Sequence, residues 1–590
     1  MKTKKDNQKF NFALLLRVLR YAIPYKKKLY ISIVLSIFLA LLTPVRPLLI
    51  QLSVDKYIAG RMAELLITVT VFQIALILLE TFLRFYFSFI TAWLGQHVVK
   101  DLRVKVYEKI LGLNLSQFDK TPIGLLTTRT VDDIERINDV FSDGVIPILT
   151  DLLSILCVLS YMFWQDWQLS LIALIPFPFL LIATSYFKES VNKSFHRVRN
   201  AVANLNSFVQ ERLTGMSVVQ AFAAEEREQE KFKLINKEHR NANIHAIFAY
   251  SVFFPIVEIV LATAIGLIVW WTSKEALHLQ QSQQGTLMAF ILCLNLIFRP
   301  LRVIADKFNV LQMGMVAGER VFKLLDNEDF IKTQGNFSPQ KITGKIEFQN
   351  VSFGYTSDAH VLKNINLLVN PGETVAIVGH TGSGKTTMIS LLNRLYSVQQ
   401  GTIKIGDVAI EDFELNALRK SIGVVLQEVF LFSGSILDNV TLLNPAISKE
   451  KVVESAKLIG MHDFIMRLPE NYNYAVMERG GTLSFGQRQL LTFLRALLYN
   501  PAILVLDEAT SSVDSESEML IQKAIDTLIK GRTSIIIAHR LSTIRKANKI
   551  IVLDKGEIIE MGSHEELIIK EGFYQQLYQL QFEKHIPIAR

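Results

Sequence analysis

Six apolar runs mark the first half of the chain, at residues 31–50, 65–94, 145–165, 169–187, 246–272 and 286–298. A helix needs about 20 apolar residues to span the hydrocarbon of a bilayer. Five runs meet or approach that length. The sixth, from Thr286 to Phe298, is short unless Arg299 and Arg302 snorkel and the helix continues into the cytoplasm. Beyond residue 345 the pattern becomes that of a soluble α/β domain: Ile346 to Phe353 alternates like a strand, and Thr374 to Val378 reads as a buried one. The expected fold class is a multidomain membrane protein, with an all-α six-helix transmembrane domain carrying long cytoplasmic helical extensions, followed by an α/β domain. The expected segments are 1–20 (cytoplasmic N-terminal segment), 21–325 (membrane domain), 326–344 (linker) and 345–590 (α/β domain). With half its side chains hydrophobic over 590 residues, the chain is too large for one ordinary core.

Charge orients the crossings. The connections near 166 and over 273–285 hold only Lys274 among Lys and Arg, whereas 95–144 and 188–245 are long and rich in both. Basic loops stay inside, which places the long connections and both chain ends in the cytoplasm and makes the number of crossings even. Residues 1–10 are polar and basic with no small-residue cleavage pattern after them, so the first run is expected to be a retained helix. The long connections read as helical throughout, extending the crossings into cytoplasmic levers that reverse at Thr121-Pro122-Ile123-Gly124 and Leu213-Thr214-Gly215. A net charge of +8 raises the question of nucleic acid. Arg17, Arg20, Lys26, Lys27 and Lys28 cluster beside apolar runs, however, so anionic headgroups account for it and no nucleic-acid partner is expected. Cys157 and Cys293 fall in apolar runs without metal or redox spacing and read as packing residues.

Several polar residues lie inside the spans. Glu80 and Arg84 stand four apart and can pair on one helix face. Arg46 lies between Pro44 and Pro47, Asp151 is in the third span, Glu258 in the fifth and Asn295 in the sixth. Isolated charges facing lipid are costly, so these are expected to face the bundle interior or a wet cavity, either as an interhelical network or in substrate binding and gating. Phe82, Phe85, Tyr86, Phe87 and Phe89 in the second span could line a cavity for apolar cargo or pack against lipid and neighbours.

The α/β region carries the chemistry. Strand 374–378 delivers the chain into Gly379-His380-Thr381-Gly382-Ser383-Gly384-Lys385-Thr386, followed by Thr387. Glycines let backbone N–H groups wrap phosphates at a helix N-terminus, Lys385 supplies a charge to the β and γ phosphates, and the Thr386 hydroxyl suits Mg2+. A second buried strand, Ile503 to Leu506, ends in Asp507 and Glu508. Asp507 is suited to the Mg2+ shell and Glu508 to polarising the attacking water, while His539, after a strand over 534–538, can reach the γ phosphate. The α/β domain is thus expected to be a P-loop ATPase using ATP and Mg2+.

With Leu483-Ser484-Phe485-Gly486-Gln487 added, these motifs resemble the ATP-binding cassette superfamily over essentially the whole chain, specifically half-transporters of the type IV exporter form. The resemblance implies that Tyr355 stacks on adenine and that Gln427 senses the γ phosphate beside Thr386 and Asp507 in the metal shell. It further implies that His539 is a switch histidine and that Ser484, Gly486 and Gln487 close over ATP held by an opposite subunit. Ser511 to Asp514 matches a loop linking the two sites, and Glu478 to Gly480 a segment contacting the coupling helices, for which 115–122 and 212–222 are the candidates. Phe485 departs from the glycine usual at that position.

One glycine loop and one signature stretch per chain make two chains the smallest working unit, identical or paired with a different half. The expected activity is ATP-driven export or flipping of an amphipathic or hydrophobic substrate (a lipid, a lipid-linked compound or a drug) by alternating access, in a bacterial inner membrane. The alternatives are a peptide or siderophore exporter, which an N-terminal protease-like domain would favour, and a nucleotide-gated regulator or channel, which the intact Glu508 disfavours.

Overall fold

The computed structural model of the chain describes residues 11–279, 284–331, 335–339, 342–356, 359–507, 515–538 and 540–582. It divides into two compact units. The first runs through residue 111 and resumes over Ile123–Asn327; the second joins Gly112–Pro122 to the chain from Glu328 onward.

The first unit is helical. It begins with α1 (Phe12–Arg20), opened by the Asn11 side chain accepting from the Leu14 N–H, then α2 (Lys26–Leu42) and α3 (Val45–Leu52), separated at Pro44. Ser53–Ile58 is a π-helical turn. After α4 (Ala63–Leu111), the short helix α5 (Leu115–Lys120) belongs to the second unit. The first unit resumes with α6 (Ile123–Thr130), α7 (Asp132–Asp139), a π turn at Val140–Gly144 and α8 (Val145–Gln165). Asp166 is extended and caps α9 (Trp167–Leu174) by accepting from the N–H groups of Gln168 and Leu169, directly after α8 ends at Gln165. The remaining helices are α10 (Phe177–Thr214), α11 (Met216–Ala221), α12 (Glu225–Leu279) and α13 (Gln284–Leu325). Among the described residues six helical stretches are long and apolar enough to cross a membrane. At 1.5 Å per residue, the 49 residues of α4 reach about 74 Å, more than twice the roughly 30 Å of a hydrocarbon core. The short sixth run is thus the beginning of a 42-residue helix.

Polar side chains in these helices find partners across the chain. Arg84 donates to Glu80 at 2.9 Å, and Lys307 of α13 pairs with Asp151 of α8. Gln51 donates to the Thr286 hydroxyl at 3.0 Å and accepts from the Tyr161 hydroxyl at 2.7 Å, all three enclosed, while Asp55 accepts from the Gly285 N–H at 2.7 Å. Arg46 and Glu258 are exposed rather than enclosed by neighbouring helices of the unit, and Asn295 turns back onto the Ile291 carbonyl. Cys293 is buried with Phe290, Leu294, Tyr161, Phe253 and Val257 in an apolar cluster, and Cys157 is half-buried. Of the aromatics in α4, Phe87 is buried, whereas Phe82, Phe85 and Phe89 are exposed.

The second unit opens with an antiparallel sheet, β1 (Ile346–Phe353), β2 (Leu362–Val369), β4 (Gln400–Ile405) and β5 (Val408–Ala409), in the order β2-β1-β4-β5. Between β2 and β4 come β3 (Thr374–Val378) and α14 (Lys385–Leu392). Then follow α15 (Leu415–Ser421), β6 (Ile422–Val425), β7 (Gly434–Ser435), α16 (Ile436–Thr441), α17 (Lys449–Leu458), α18 (His462–Arg467) and β8 (Ala475–Val476). The chain closes with α19 (Phe485–Tyr499), β9 (Ile503–Asp507), α20 (Ser515–Ile529), β10 (Thr533–Ile537), α21 (Leu541–Lys546), β11 (Lys549–Asp554), β12 (Glu557–Gly562), α22 (His564–Ile569) and α23 (Phe573–Phe582). The main sheet has the order β12-β11-β3-β10-β9-β6, parallel except for β12.

Every residue of β3, β9 and β10 is buried, because helices cover both faces. Alternate strand residues serve separate cores. Val375, Ile377, Val505 and Ile535 join the cluster that includes Met388, Ile389 and Leu391 of α14; Ala376, Val378, Leu504 and Ile536 join the one that includes Leu490, Leu491 and Leu494 of α19. Successive strand side chains point to opposite faces, so α14 and α19 pack on opposite sides of the sheet.

Candidate nucleotide site

Ligands of open α/β sheets bind beyond the carboxyl ends of parallel strands, where the strand order places them. Here β3 leads into the glycine loop, β9 ends on Asp507, and β10 lies between them. His539 would follow β10; it and Glu508 lie outside the described residues, as does Asp514. Gln427 stands two residues beyond β6, exposed at the same end of the sheet.

The loop itself is shaped by its glycines. Gly382 and Gly384 hold φ of 82° and 106°, a region that L side chains rarely adopt, and a Cβ on Gly379 would lie 2.1 Å from the Leu553 carbonyl oxygen. Gly384 opens α14. Lys385 Nζ folds back to donate to the carbonyls of Gly379 and His380 at 2.9 and 2.8 Å. Burial lowers its pKa, with Asp507 acting in the opposite sense. The Ser383 hydroxyl is buried with no hydrogen-bond partner, an orphaned group at the centre of a loop whose backbone is already curved for phosphate. Thr381 is exposed, and the His380 ring meets Phe573 of α23 edge-on at 5.4 Å.

Thr386 Oγ1 donates to Asp507 Oδ2 at 3.4 Å, and Asp507 is almost fully buried. A hydroxyl and one carboxylate side by side fit Mg2+, a hard cation that takes few protein oxygens and completes its shell with water and substrate phosphate. Among the described residues no group of three or more His, Cys, Asp or Glu side chains gathers as an all-protein cage.

In the first turn of α14, Thr387 Oγ1 lies 3.1 Å from the hydroxyl of Tyr355, which is 45% exposed. The Tyr355 ring stands edge-on to Phe353 at 5.1 Å and to Tyr396 at 5.2 Å, leaving an open face. Ser484 caps α19 through a reciprocal box: its hydroxyl accepts from the Gln487 N–H at 3.3 Å, and Gln487 Oε1 accepts from the Ser484 N–H at 3.0 Å. Gly486 is buried in the first turn, and Arg488 lies over the Phe485 ring at 6.0 Å. Phe485 is therefore accommodated as a helix residue without disturbing the cap. Tyr396 and Phe573 belong to no contiguous motif, so the sequence does not mark them.

A glycine loop at the end of one buried strand, a paired hydroxyl and carboxylate at the end of another, and six membrane-length helices in the same chain define a membrane-embedded P-loop ATPase. The family matches make that class specific: residues 29–301 match the ABC transporter transmembrane region and residues 362–511 match the ABC transporter family. The chain belongs to the ABC transporter family and is a multi-pass, ATP-binding, ATP-hydrolysing transporter. It is 37% identical over 98% of its length to YknV of Bacillus subtilis, named as an uncharacterized ABC transporter ATP-binding protein, and covers 96% of that protein. It is 35% identical to the ATP-dependent lipid A-core flippase of Syntrophus aciditrophicus, covering 96% of this chain and 94% of the flippase. A further relative, YgaD of Bacillus subtilis, provisionally named a multidrug export ATP-binding/permease protein, is 35% identical over 96% of this chain and 99% of its own.

Proposed function

We propose that the chain is one half of a dimeric exporter that uses ATP to move an amphipathic or hydrophobic substrate, a lipid, lipid-linked compound or drug, across a bacterial inner membrane, with both termini and the ATPase unit in the cytoplasm. The names of the flippase and multidrug relatives support that substrate class. The observation that supports a dimer is the placement of α14 and α19 on opposite faces of one sheet. A chain whose glycine loop opens one helix and whose Ser484 opens the other uses both in one ATP sandwich when a second chain supplies the opposing face.

In this reading Lys385 exchanges its two carbonyl partners for the β and γ phosphates, and the buried Ser383 hydroxyl and the loop N–H groups complete the cradle. Thr386, Asp507 and Gln427 would hold Mg2+, which when bound neutralises charge developing on the phosphates. Glu508 polarises the attacking water, and His539 contacts the γ phosphate. Tyr355 offers its open face to adenine, and Ser484, Gly486 and Gln487 close on the partner's nucleotide. Closure passes through the segments 115–122 and 212–222 to the membrane helices, which alternate between inward-facing and outward-facing states, and hydrolysis resets them.

The test is mass and ATPase turnover of the purified chain in lipid nanodiscs. A dimer is expected, with turnover abolished and ATP binding retained in Glu508→Gln, and binding itself lost in Lys385→Ala. Wild-type turnover in both variants would overturn the site assignment, and an inactive monomer would mean that the second half is a different chain. Transport of a fluorescent lipid or dye into inside-out vesicles, absent in Glu508→Gln, tests the substrate class.

A further inference from the structure

Helix α5 sits in sequence between two long helices of the first unit, yet it folds with the second. Two sets of contacts hold it there. On one side the chain at 328–331 clasps its N-terminal approach: Asn114 Nδ2 and Gln117 Nε2 donate to the two carboxylate oxygens of Asp329 at 2.5 and 2.6 Å. The Ile331 N–H donates to the Gly112 carbonyl, and Leu113 bridges to Phe330. On the other side, Asp119 accepts a short hydrogen bond from the Tyr396 hydroxyl. Burial and this bond both raise the Tyr396 pKa, so the phenol stays protonated and donating.

Tyr396 is also one ring of the aromatic group beside the glycine-loop helix. It stands nearly perpendicular to Tyr355, with 5.2 Å between centroids and 88° between planes, and it leans on Phe353 at 5.8 Å. An edge-to-face pair is favourable over a limited range of ring orientations, so the plane of Tyr355 and the position of Tyr396 constrain each other. A continuous path therefore runs from the open face of Tyr355, through the perpendicular ring of Tyr396 and its hydroxyl, to the Asp119 carboxylate of α5. None of its contacts involves the phosphate loop except the hydroxyl contact between Tyr355 and Thr387.

We propose that Tyr396 is a positioning residue that reports the nucleobase to α5: a base stacked on Tyr355 fixes that ring, the ring fixes Tyr396, and Tyr396 holds Asp119. The inference rests on the reading of Tyr355 as the adenine contact and adds that α5 is set by the base rather than by the phosphates. Aligning Tyr355 alone would need only apolar neighbours; a phenol at Tyr396, hydrogen-bonded to a carboxylate on a different stretch of chain, adds a directional link.

The experiment uses the full chain in nanodiscs in the Glu508→Gln background, with saturating ATP or with inorganic tripolyphosphate, which carries the phosphates without the base. Hydrogen exchange over 112–122 and ligand affinity are read together. ATP, and not tripolyphosphate, is expected to slow exchange over 112–122 several-fold. Tyr396→Phe keeps the ring and loses the hydroxyl, so ATP affinity should stay within about twofold while the slowing disappears. Tyr396→Ala should also weaken ATP about two- to tenfold, with tripolyphosphate unchanged, as expected for the loss of an aromatic pair. Asp119→Ala should behave as Tyr396→Phe, and Asp119→Asn, whose amide oxygen still accepts, should restore the ATP effect. Equal slowing by tripolyphosphate, or slowing that survives in Tyr396→Phe, overturns the proposal. Tyr355→Ala separates the two layers. If it leaves ATP affinity unchanged, the adenine reading fails; if it weakens ATP while Tyr396→Phe keeps its slowing, the adenine reading stands and the Tyr396 link fails.

Discussion

The two units of this chain use the same apolar residues in opposite ways. In the ATPase unit Leu504 and Leu506 sit in a strand with no exposed residue, and charge is confined to the strand end at Asp507. In the membrane unit Leu78, Phe82 and Phe85 are each about two-thirds exposed, whereas Ser32, Ser36, Thr91 and Gln51 are buried. The difference is the solvent. Water makes apolar burial the organising force of the sheet, but lipid is as apolar as leucine, so neighbouring membrane helices are selected by packing and by polar groups that need partners.

One substitution made in both units separates these regimes by the largest margin. Leu504→Ala leaves a cavity in a fully buried strand and should cost about 2–5 kcal/mol, a large share of the roughly 5–15 kcal/mol that holds a domain together. Leu78→Ala removes the same atoms from an exposed face of α4 and should stay within about 0.5 kcal/mol. The midpoint of thermal loss of ATP binding in nanodiscs reads both. Equal shifts would break the comparison.

A smaller effect probes the converse. Tyr161 and Thr286 both meet Gln51 in an enclosed triad that draws on three helical stretches. Gln51→Leu leaves two hydroxyls without that partner and should destabilise the membrane unit by about 1–2 kcal/mol. Tyr161→Phe should cost less, and the double variant should show a coupling of about 0.6 kcal/mol, with about 1.7 as the upper end for membrane hydrogen bonds. Additive losses in a thermal-shift cycle would mean that the triad is proximity without interaction.

What could be read from the sequence divides along the same physical line. The glycine loop, Asp507 and the cap at Ser484 are contiguous because phosphate binding, a strand-end carboxylate and a helix start are local geometries, so the composition of a few neighbouring residues reveals them. The six spans were legible because bilayer thickness imposes a length, although the sixth was visible only as the apolar beginning of α13. The pairings were not legible. Asp151 meets Lys307 from 156 residues away, and Asp119 meets Tyr396 from 277 away; no periodicity encodes which polar residue a distant one will face. His380 likewise gains Phe573 only once α23 has packed. Glu508 and His539 show the reverse case: motif position alone marks them, and they lie outside the described residues.

The clasp at Asp329 lies within the second unit and should obey aqueous electrostatics. Its carboxylate is held below the ordinary aspartate range by hydrogen bonds from Gln117 and Asn114 first, with burial opposing them. A carboxylate whose pKa is depressed by folding contributes fully above the ordinary value of about 3.9, and the contribution is lost as pH falls from there through the folded pKa. Exchange over 112–117 should therefore be flat from neutral pH to about pH 5, once corrected for the intrinsic rate, and should accelerate modestly in the acid range below about 4. Asp329→Asn, which cannot titrate, should be faster at neutral pH and show no acid-specific step. A wild-type profile without the acid step would mean that the backbone bridge at Leu113 and Phe330, rather than the carboxylate, holds α5 in the ATPase unit.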